Sequence, residues 1–308
     1  MSRFEKNPIT LDDQLEKLFS RGLVVSDRDQ VTQQLGNIGY YRLSAYTRPF
    51  LELPDRKKFK SGTTWDQIIH VYEFDRHLRL LILDAIERIE VGMRARLINA
   101  TCLHYKDAHW YLDSGNFHPR FNHQNFIHKL EREVGIKYDS VTNQRVMPEN
   151  HTEKFVRHYY DEYSTPYLPP LWMVVELLTM GSLSMLFKGL GDSAVKAGIA
   201  AEWNLKAKVF ESWLHSVSVL RNFCAHHNRL WNREMSIKPL VPDELKPLKL
   251  EVHRLQGQLV VMLKLLDKIS LGNHWRKRFA ELLSEYEQID PAAMGFPTNW
   301  KFEPFWKQ

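Results

Sequence analysis

The segment from residue 65 to residue 99 limits the possible folds of this chain more than any other part of the sequence. Its apolar residues recur at steps of four and three, which is the period of an α-helix with one apolar face. These residues are Phe74, Leu78, Leu81, Ala85, Ile89, Met93 and Leu97, and Ile82 and Ile86 widen the face. The other side carries charges of alternating sign, namely Asp75, Arg76, Arg79, Asp84, Glu87, Arg88, Glu90 and Arg94. The pattern predicts one long helix whose charged side is solvated or borders an interface.

Residues 213 to 233 form a second segment with helical periodicity, and they contain neither Pro nor Gly. Its apolar stripe consists of Leu214, Val217, Leu220, Cys224 and Trp231. Its polar stripe consists of Asn222, His226, Arg229 and Arg233. No acidic residue occurs before Glu234, whereas a solvated helix face usually mixes Glu with Lys. The segment predicts a continuous helix whose polar side either binds an anion or packs on another part of the chain through hydrogen bonds.

The polar side of this predicted helix combines Arg, His and Asn, and these residue types suit a phosphodiester. A guanidinium offers a planar, charged fork to phosphate oxygens. An imidazole can move a proton near neutral pH, and an amide both donates and accepts hydrogen bonds. RNA carries its own nucleophile, the 2′-OH. A phosphate clamp, a base and an acid are therefore sufficient to cleave RNA without a metal ion.

Four residues separate Arg221 from His226, and this spacing resembles the Rx4-6H signature of HEPN ribonucleases. The longer string RNFCAHHNRLWNR, residues 221 to 233, resembles the C-terminal motif of the Abi-like (AbiD/AbiF) abortive-infection proteins. The strings GYYRLSAY, YEFDRHLR, IERIEVGMRARL and PPLWMVVELLTMGSLSMLF share this resemblance, which extends from Arg21 to the C-terminus. A second match to the short signature, from Arg145 to His151, crosses a Pro-containing segment that predicts a loop.

The resemblance implies a metal-independent endoribonuclease that acts in phage defence or as a toxin and leaves a cyclic phosphate. It implies that Arg221 holds the scissile phosphate, Asn222 orients the site and His226 is the general acid or base. His227 is the alternative to His226, because the signature also allows five intervening residues. The competing hypothesis is a non-catalytic RNA-binding regulatory protein of the same fold, since the same residues serve both functions.

A net charge of +5 favours a polyanionic partner, and we expect RNA as substrate or as a regulatory non-coding RNA. Residues 100 to 168 interleave Lys and Arg with Tyr and Phe, a composition compatible with holding RNA. The alternative for this segment is a solvated amphipathic helix at 121 to 134 followed by a loop. The predicted RNA-binding residues are Arg42, Lys129, Arg132, Lys137, Arg229 and Arg233.

Other features predict a cytoplasmic protein without cofactor or metal. The N-terminus lacks the apolar core of a signal peptide, and Cys102 and Cys224 are too few for a disulfide framework. His and Cys residues lack the paired spacing of zinc ligands. Residues 171 to 187 are very apolar, but Glu176 among them favours a buried helix over a membrane span. A buried Glu176 needs a partner, for which an arginine of the polar side is a candidate.

The predicted fold is all-α, with a small helical region at 1–64 and a HEPN-like helical domain at 65–308. A basic insertion at about 101–168 interrupts this domain. In the first region, Thr10 with Asp13 and Ser26 with Asp29 predict capped helices that end at Gly22 and Gly36.

A homodimer is expected from the helical projection of the motif. In an ideal helix, Arg221 and His226 point about 140° apart, so one copy presents both groups poorly to a single phosphate. Two copies related by a two-fold axis would bring Arg and His of both chains into one cleft. HEPN resemblance implies the same composite site.

Overall fold

The structure is a computed structural model that describes residues 3, 5, 7–148 and 150–307, and α-helices dominate it. The all-α class predicted from the sequence is confirmed. The α-helices in chain order are α1 (Leu11–Ser20), α2 (Arg28–Ile38), α3 (Tyr40–Thr47), α4 (Trp65–Tyr105), α5 (His123–Glu133), α6 (Lys154–Glu162), α7 (Leu171–Leu177), α8 (Met180–Gly189), α9 (Ser193–Ala201), α10 (Ala207–Ala225), α11 (Leu255–Ile269) and α12 (Trp275–Glu285). Strands β1 (Lys137–Tyr138) and β2 (Arg145–Val146) form a short antiparallel hairpin.

The chain forms two compact units, and α4 and α10 each contribute residues to both. The first unit comprises Met1–Leu81, Phe223–Arg233 and Trp275–Gln308, and the second comprises Ile82–Asn222 and Glu234–His274. The domain boundary at residue 64 and the HEPN-like character of the second part stay predictions. Within the described ranges, none of the helices combines the length and the hydropathy needed to cross a membrane.

Helix α4 confirms the periodicity from which it was predicted. All nine apolar residues of its predicted face are buried. The prediction for its charged side is wrong at Asp75 and Arg79, which are 0% and 4% exposed. These two residues are one turn apart and form a buried ion pair in the first unit.

The N-terminal helices show which capping signals the chain uses. The capping box of Thr10 and Asp13 starts α1 as predicted. The second predicted cap is wrong, because Asp27 and not Ser26 accepts the N–H of Gln30 at the start of α2. Gly36 lies inside α2, which ends at Ile38. Gly39 follows as its C-cap, where φ is +90° and a glycine is favoured.

An aromatic cluster joins α12 and the C-terminal tail in the first unit. The ring of Phe279 in α12 lies 5.5 Å from Phe296, 5.8 Å from Trp300 and 6.0 Å from Trp306. These four side chains are at most 7% exposed, so the C-terminal tail packs on α12. Such aromatic contacts contribute stability beyond the area that they bury.

In the second unit, the apolar stretch at 171–187 contains two helices rather than one. Helix α7 begins at Leu171, directly after the prolines that prevent an earlier start. The chain then leaves helical geometry at Leu178, and the Thr179 hydroxyl caps α8. The side chain of Glu176 is exposed, so it needs no buried partner. Helix α11 is buried along most of its length.

The predicted insertion contains α5, the hairpin and α6. The amphipathic helix at 121 to 134 is confirmed by α5, whose buried face includes Phe126 and Leu130. Arg145 pairs with the buried Glu131 at 2.8 Å and lies over the Tyr167 ring. His151 Nε2 hydrogen-bonds the Glu133 carbonyl at 2.9 Å. The second match to the short signature therefore holds the insertion together.

Candidate functional site

Helix α10 ends at Ala225, so the predicted continuous helix from 213 to 233 is wrong in its last eight residues. The Asn228 N–H donates to the Phe223 carbonyl at 2.8 Å, and the His227 N–H donates to the Cys224 carbonyl at 3.0 Å. This pair of bonds, with φ of +56° at His227, is a Schellman motif. The ideal-helix projection does not extend past Ala225, and the 140° argument for a dimer loses its geometric basis.

The four candidate catalytic residues lie on either side of this helix end. Arg221 and Asn222 belong to the last two turns of α10, with Arg221 half-buried and Asn222 exposed. His226 and His227 come directly after the helix, and both are exposed. Among the residues that the structure describes, no carboxylate forms an ion pair with any of these side chains. All four are therefore accessible to a ligand.

The segment after the helix, residues 226–233, is named the post-helix segment, and the buried carboxylate of Asp75 fixes it. The Leu230 N–H donates to both carboxylate oxygens at 3.1 Å, and the Trp231 N–H donates to Oδ1 at 2.6 Å. The Tyr46 hydroxyl donates to Oδ2 at 2.7 Å, and Arg79 pairs with the same oxygen. A single side chain on α4 thus satisfies two backbone donors of the segment.

The surroundings of the Asp75 carboxyl shift its pKa in opposite directions. Burial raises the pKa of the Asp75 carboxyl, and the Arg79 guanidinium, the Tyr46 hydroxyl and the two backbone N–H groups oppose that rise. Burial, together with the Asp75 charge, also raises the pKa of Tyr46, which keeps its hydroxyl a hydrogen-bond donor. The group therefore consists of one carboxylate surrounded by donors, as a buried charge requires.

Two arginines bind carbonyl oxygens of the post-helix segment. Arg42 Nη1 donates to the His227 carbonyl at 2.7 Å, and Arg79 Nη1 reaches the Asn228 carbonyl at 3.4 Å. Arg42 is exposed and is one of the predicted RNA-binding residues. Since a guanidinium has five N–H donors, the bond to His227 leaves Arg42 able to contact a phosphate.

Arg229 and Arg233, also predicted to bind RNA, make contacts within the segment itself. Arg229 Nη1 donates to the carbonyls of Trp231 and Asn232 at 2.8 and 2.9 Å. Arg233 Nη1 donates to the Arg229 carbonyl at 3.3 Å, and its guanidinium lies 4.0 Å from the centre of the Phe223 ring. Both residues are half-buried, so their first role is to hold the backbone after α10.

A cleft of about 200 Å³ beside this segment is lined by three arginines and is named the arginine cleft. Its lining residues are Arg48, Pro49, Arg56, Arg229 and Asn232. Burial lowers the pKa of Arg229; the Asp75 charge opposes this shift, and the positive charges of Arg233 and Arg48 add to it. Among the described residues, no acidic side chain lines the cleft, which makes it a suitable place for a phosphate group.

The structure also shows which residues sequence reasoning missed. Asp75, Arg79 and Tyr46 position the candidate site, and Arg48 and Arg56 line the arginine cleft. A signal for Asp75 and Arg79 is present in the sequence. Continuing the stripe of Ile86 and Ile82 toward the N-terminus by steps of three and four leads to Arg79 and then Asp75, which places the pair on the buried side of α4.

The remaining predicted RNA-binding residues belong to the second unit. The Lys129 ammonium in α5 donates to the Ser182 hydroxyl, while Arg132 in α5 and Lys137 in β1 are exposed. Among the described residues, no three His, Cys, Asp or Glu side chains gather as metal ligands. Cys224 is buried, and burial raises its pKa to about 12, which leaves the thiol a poor nucleophile.

The fold and the site together define an all-α protein with an accessible Arg- and His-bearing helix end. A family model described as Abi-like protein matches residues 33–232. The chain belongs to this family, which confirms the Abi-like resemblance found in the sequence. Membership points to a role in abortive infection, a form of phage defence. No curated protein and no solved structure matches the chain.

Proposed function

We propose that the protein is a metal-independent endoribonuclease of phage defence, with Arg221, Asn222 and His226 as its catalytic residues. The observation that carries this proposal is the accessible helix end. It presents Arg221 and Asn222 on α10 and His226 on the post-helix segment, and among the described residues no carboxylate forms an ion pair with them. A buried network holds the post-helix segment in place. A preorganised backbone of this kind is what a positioned catalytic group needs.

The proposed reaction uses the 2′-OH of RNA as nucleophile. The 2′-oxygen forms a bond to phosphorus, the bond from phosphorus to the 5′-oxygen breaks, and a 2′,3′-cyclic phosphate remains. Arg221 neutralises the non-bridging oxygens, and Asn222 orients the phosphate by hydrogen bonds. His226 either removes the proton of the 2′-OH or donates one to the leaving 5′-oxygen. His227 is the alternative for this proton transfer.

The RNA strand has cationic and aromatic contacts close to the post-helix segment in this proposal. The arginine cleft takes a neighbouring phosphate, and Arg42 takes another beside the turn at His227. Tyr41, next to Arg42 on α3, is 91% exposed and offers a ring on which an unpaired base stacks. Leu43 and Tyr46 of the same helix are buried, so α3 serves both the core and this surface.

The proposal includes a homodimer as the active form. The HEPN resemblance implies a composite site, in which Arg221 of one copy and His226 of the other act on one phosphate. Water then carries the proton that His226 does not transfer. The test mixes Arg221→Ala chains with His226→Ala chains, because the mixed dimer retains one intact Arg and one intact His. Recovered cleavage in the mixture supports the dimer, and full activity of a strictly monomeric protein at low concentration contradicts it.

The catalytic assignment is tested with single variants and a matched control. We expect Arg221→Ala and His226→Ala each to abolish cleavage of RNA and any growth inhibition on expression, while circular dichroism shows a folded protein. His215→Ala removes another exposed imidazole of α10 and should leave cleavage unchanged. A folded Arg221→Ala/His226→Ala protein that cuts RNA at the wild-type rate refutes the assignment. His227→Ala decides between the two histidines.

A non-catalytic RNA-binding regulator is the second candidate function, and the arginine cleft supports it because phosphate contacts need no chemistry. This candidate predicts that the wild-type protein binds RNA tightly and leaves it intact. It also predicts that Arg48→Gln weakens binding while His226→Ala has no effect. RNA cleavage by the wild type that disappears in His226→Ala excludes it.

A further inference from the structure

A cavity of about 570 Å³ in the second unit lies between α8 and the N-terminal part of α5 with the loop before it. This volume falls in the range of about 300–1,000 Å³ that is usual for small-molecule sites. None of the candidate catalytic residues lines it. A ligand in this cavity would therefore bind away from the candidate catalytic residues.

Cationic side chains line the cavity, and no acidic side chain of the described residues does. Arg120 and Lys188 are exposed, Lys129 is half-buried, and His118 adds an imidazole. Within the described ranges, neither Arg120 nor Lys188 forms an ion pair. The Lys129 ammonium is fixed by its bond to the Ser182 hydroxyl on the opposite helix. The lining thus favours a ligand that carries more than one negative charge.

The first turn of α8 adds backbone donors to these charges. The Thr179 hydroxyl accepts the Ser182 N–H at 3.3 Å, and Thr179, Gly181 and Ser182 all line the cavity. The Gly181 N–H has no backbone acceptor among the described residues. A free first-turn N–H beside three cationic side chains is a combination that binds phosphate.

An aromatic wall forms another side of the cavity. The half-buried Phe121 ring stacks on Phe117 with centres 4.9 Å apart and planes 10° apart. Its edge rests on Gly189 of α8, where a Cβ atom would lie only 2.6 Å from the ring. The glycine therefore allows the ring to stand against the helix backbone. Phe126 and the exposed Met185 extend this apolar surface, which offers a planar base a place to stack.

We propose that this cavity binds a free nucleoside phosphate. The phosphates contact Lys188, Arg120 and the first turn of α8, and the base lies on the aromatic wall around Phe121. The amide side chains of Asn122 and Asn125, which also line the cavity, offer hydrogen bonds to base or ribose. This site is independent of RNA cleavage, because no part of the post-helix segment contributes to it.

The test is calorimetric titration of the full chain with ATP, GTP, CTP and UTP in turn. We expect saturable binding of at least one nucleotide with a dissociation constant in the micromolar range. Lys188→Gln and Arg120→Gln should each weaken it by about tenfold, because each removes one charge-assisted contact to phosphate. Lys208→Gln on α10 is the matched control, since it removes an exposed lysine outside the cavity and should leave binding unchanged.

Two further ligands test the base contacts and the phosphate contacts separately. Adenosine and inorganic triphosphate should each bind much more weakly than ATP, because each lacks one half of the proposed contacts. Absence of saturable binding of all four nucleotides up to about 1 mM overturns the proposal. Equal affinity for ATP and inorganic triphosphate, or wild-type affinity in both Lys188→Gln and Arg120→Gln, overturns it as well. RNA cleavage by the same protein is unaffected by any of these results.

Discussion

Replacement of Asp75 by asparagine tests whether a buried charge holds the post-helix segment. The Asp75→Asn substitution keeps the size and one acceptor oxygen of the side chain. It removes the negative charge and turns the second oxygen into an NH₂ group. That group then faces donors, namely the N–H of Leu230 and of Trp231, the Tyr46 hydroxyl and the Arg79 guanidinium.

The expected loss follows from the burial of the pair. The side chains of Arg79 and Asp75 are 5% and 0% exposed, so Arg79 is left as an unpaired charge without access to water. Breaking a buried pair by removing one partner costs about 3–5 kcal/mol. A typical domain has a free energy of unfolding of only about 5–15 kcal/mol. We therefore expect Asp75→Asn to lower the stability severely, and to lower RNA cleavage although Arg221 and His226 are unchanged.

The matched control is Asp84→Asn on the same helix. Asp84 pairs with Arg88 at the same i,i+4 spacing, but these side chains are 40% and 32% exposed. Water screens such a pair, and its loss should cost about 0.2–1 kcal/mol. Urea unfolding followed by far-UV circular dichroism gives both free energies. The double variant Asp75→Asn/Arg79→Leu should recover part of the loss, because it no longer buries an unpaired cation.

The reasoning is refuted if Asp75→Asn costs no more than Asp84→Asn. It is also refuted if the double variant is less stable than Asp75→Asn alone, since the unpaired guanidinium would then not be the source of the loss. A stable Asp75→Asn protein with wild-type cleavage would separate the network from the candidate site.

Three further variants test the RNA contacts. Neutralising Lys129, Arg132 and Lys137 together to Gln should weaken RNA binding and reduce the slope of log affinity against log salt by about 2, and an unchanged slope contradicts a role for these residues. Tyr41→Ala should cost about 1–3 kcal/mol of affinity for single-stranded RNA without changing the urea midpoint, because the ring is 91% exposed. Arg48→Gln should raise KM for RNA by about tenfold with little change in kcat, and a selective fall in kcat would instead assign Arg48 to the transition state.

Helices with strong local signals were predictable from the sequence. The apolar spacing of α4 and α11 gives their buried faces, and the prolines before Leu171 give the start of α7. These features depend on residues a few positions apart, so periodicity and backbone restrictions are sufficient. The all-α class follows from the same signals.

The end of α10 was not predictable in this way. Residues 226 to 233 contain no Gly or Pro, and the apolar stripe continues to Trp231. The helix ends there because the chain turns at His227, and because Asp75, 155 residues away from Leu230, binds the backbone N–H groups of the next residues. Tertiary contacts of this kind override local propensity, and no pattern within residues 213 to 233 reports them. The arginine cleft is equally non-local, since Arg48 and Arg56 come from the N-terminal region.

At position 227, the stability of the fold and the proposed activity favour different residues. A side chain in the left-handed region at φ of +56° costs about 1–2 kcal/mol, which a glycine would avoid. The chain therefore has a histidine at a position where the backbone conformation alone favours glycine. Selection for a more stable fold would replace this histidine with glycine, whereas selection for proton transfer or RNA contact would retain it. A variant library selected for stability can be compared with one selected for phage defence. The residue that each selection enriches at position 227 would show whether the position serves stability or defence.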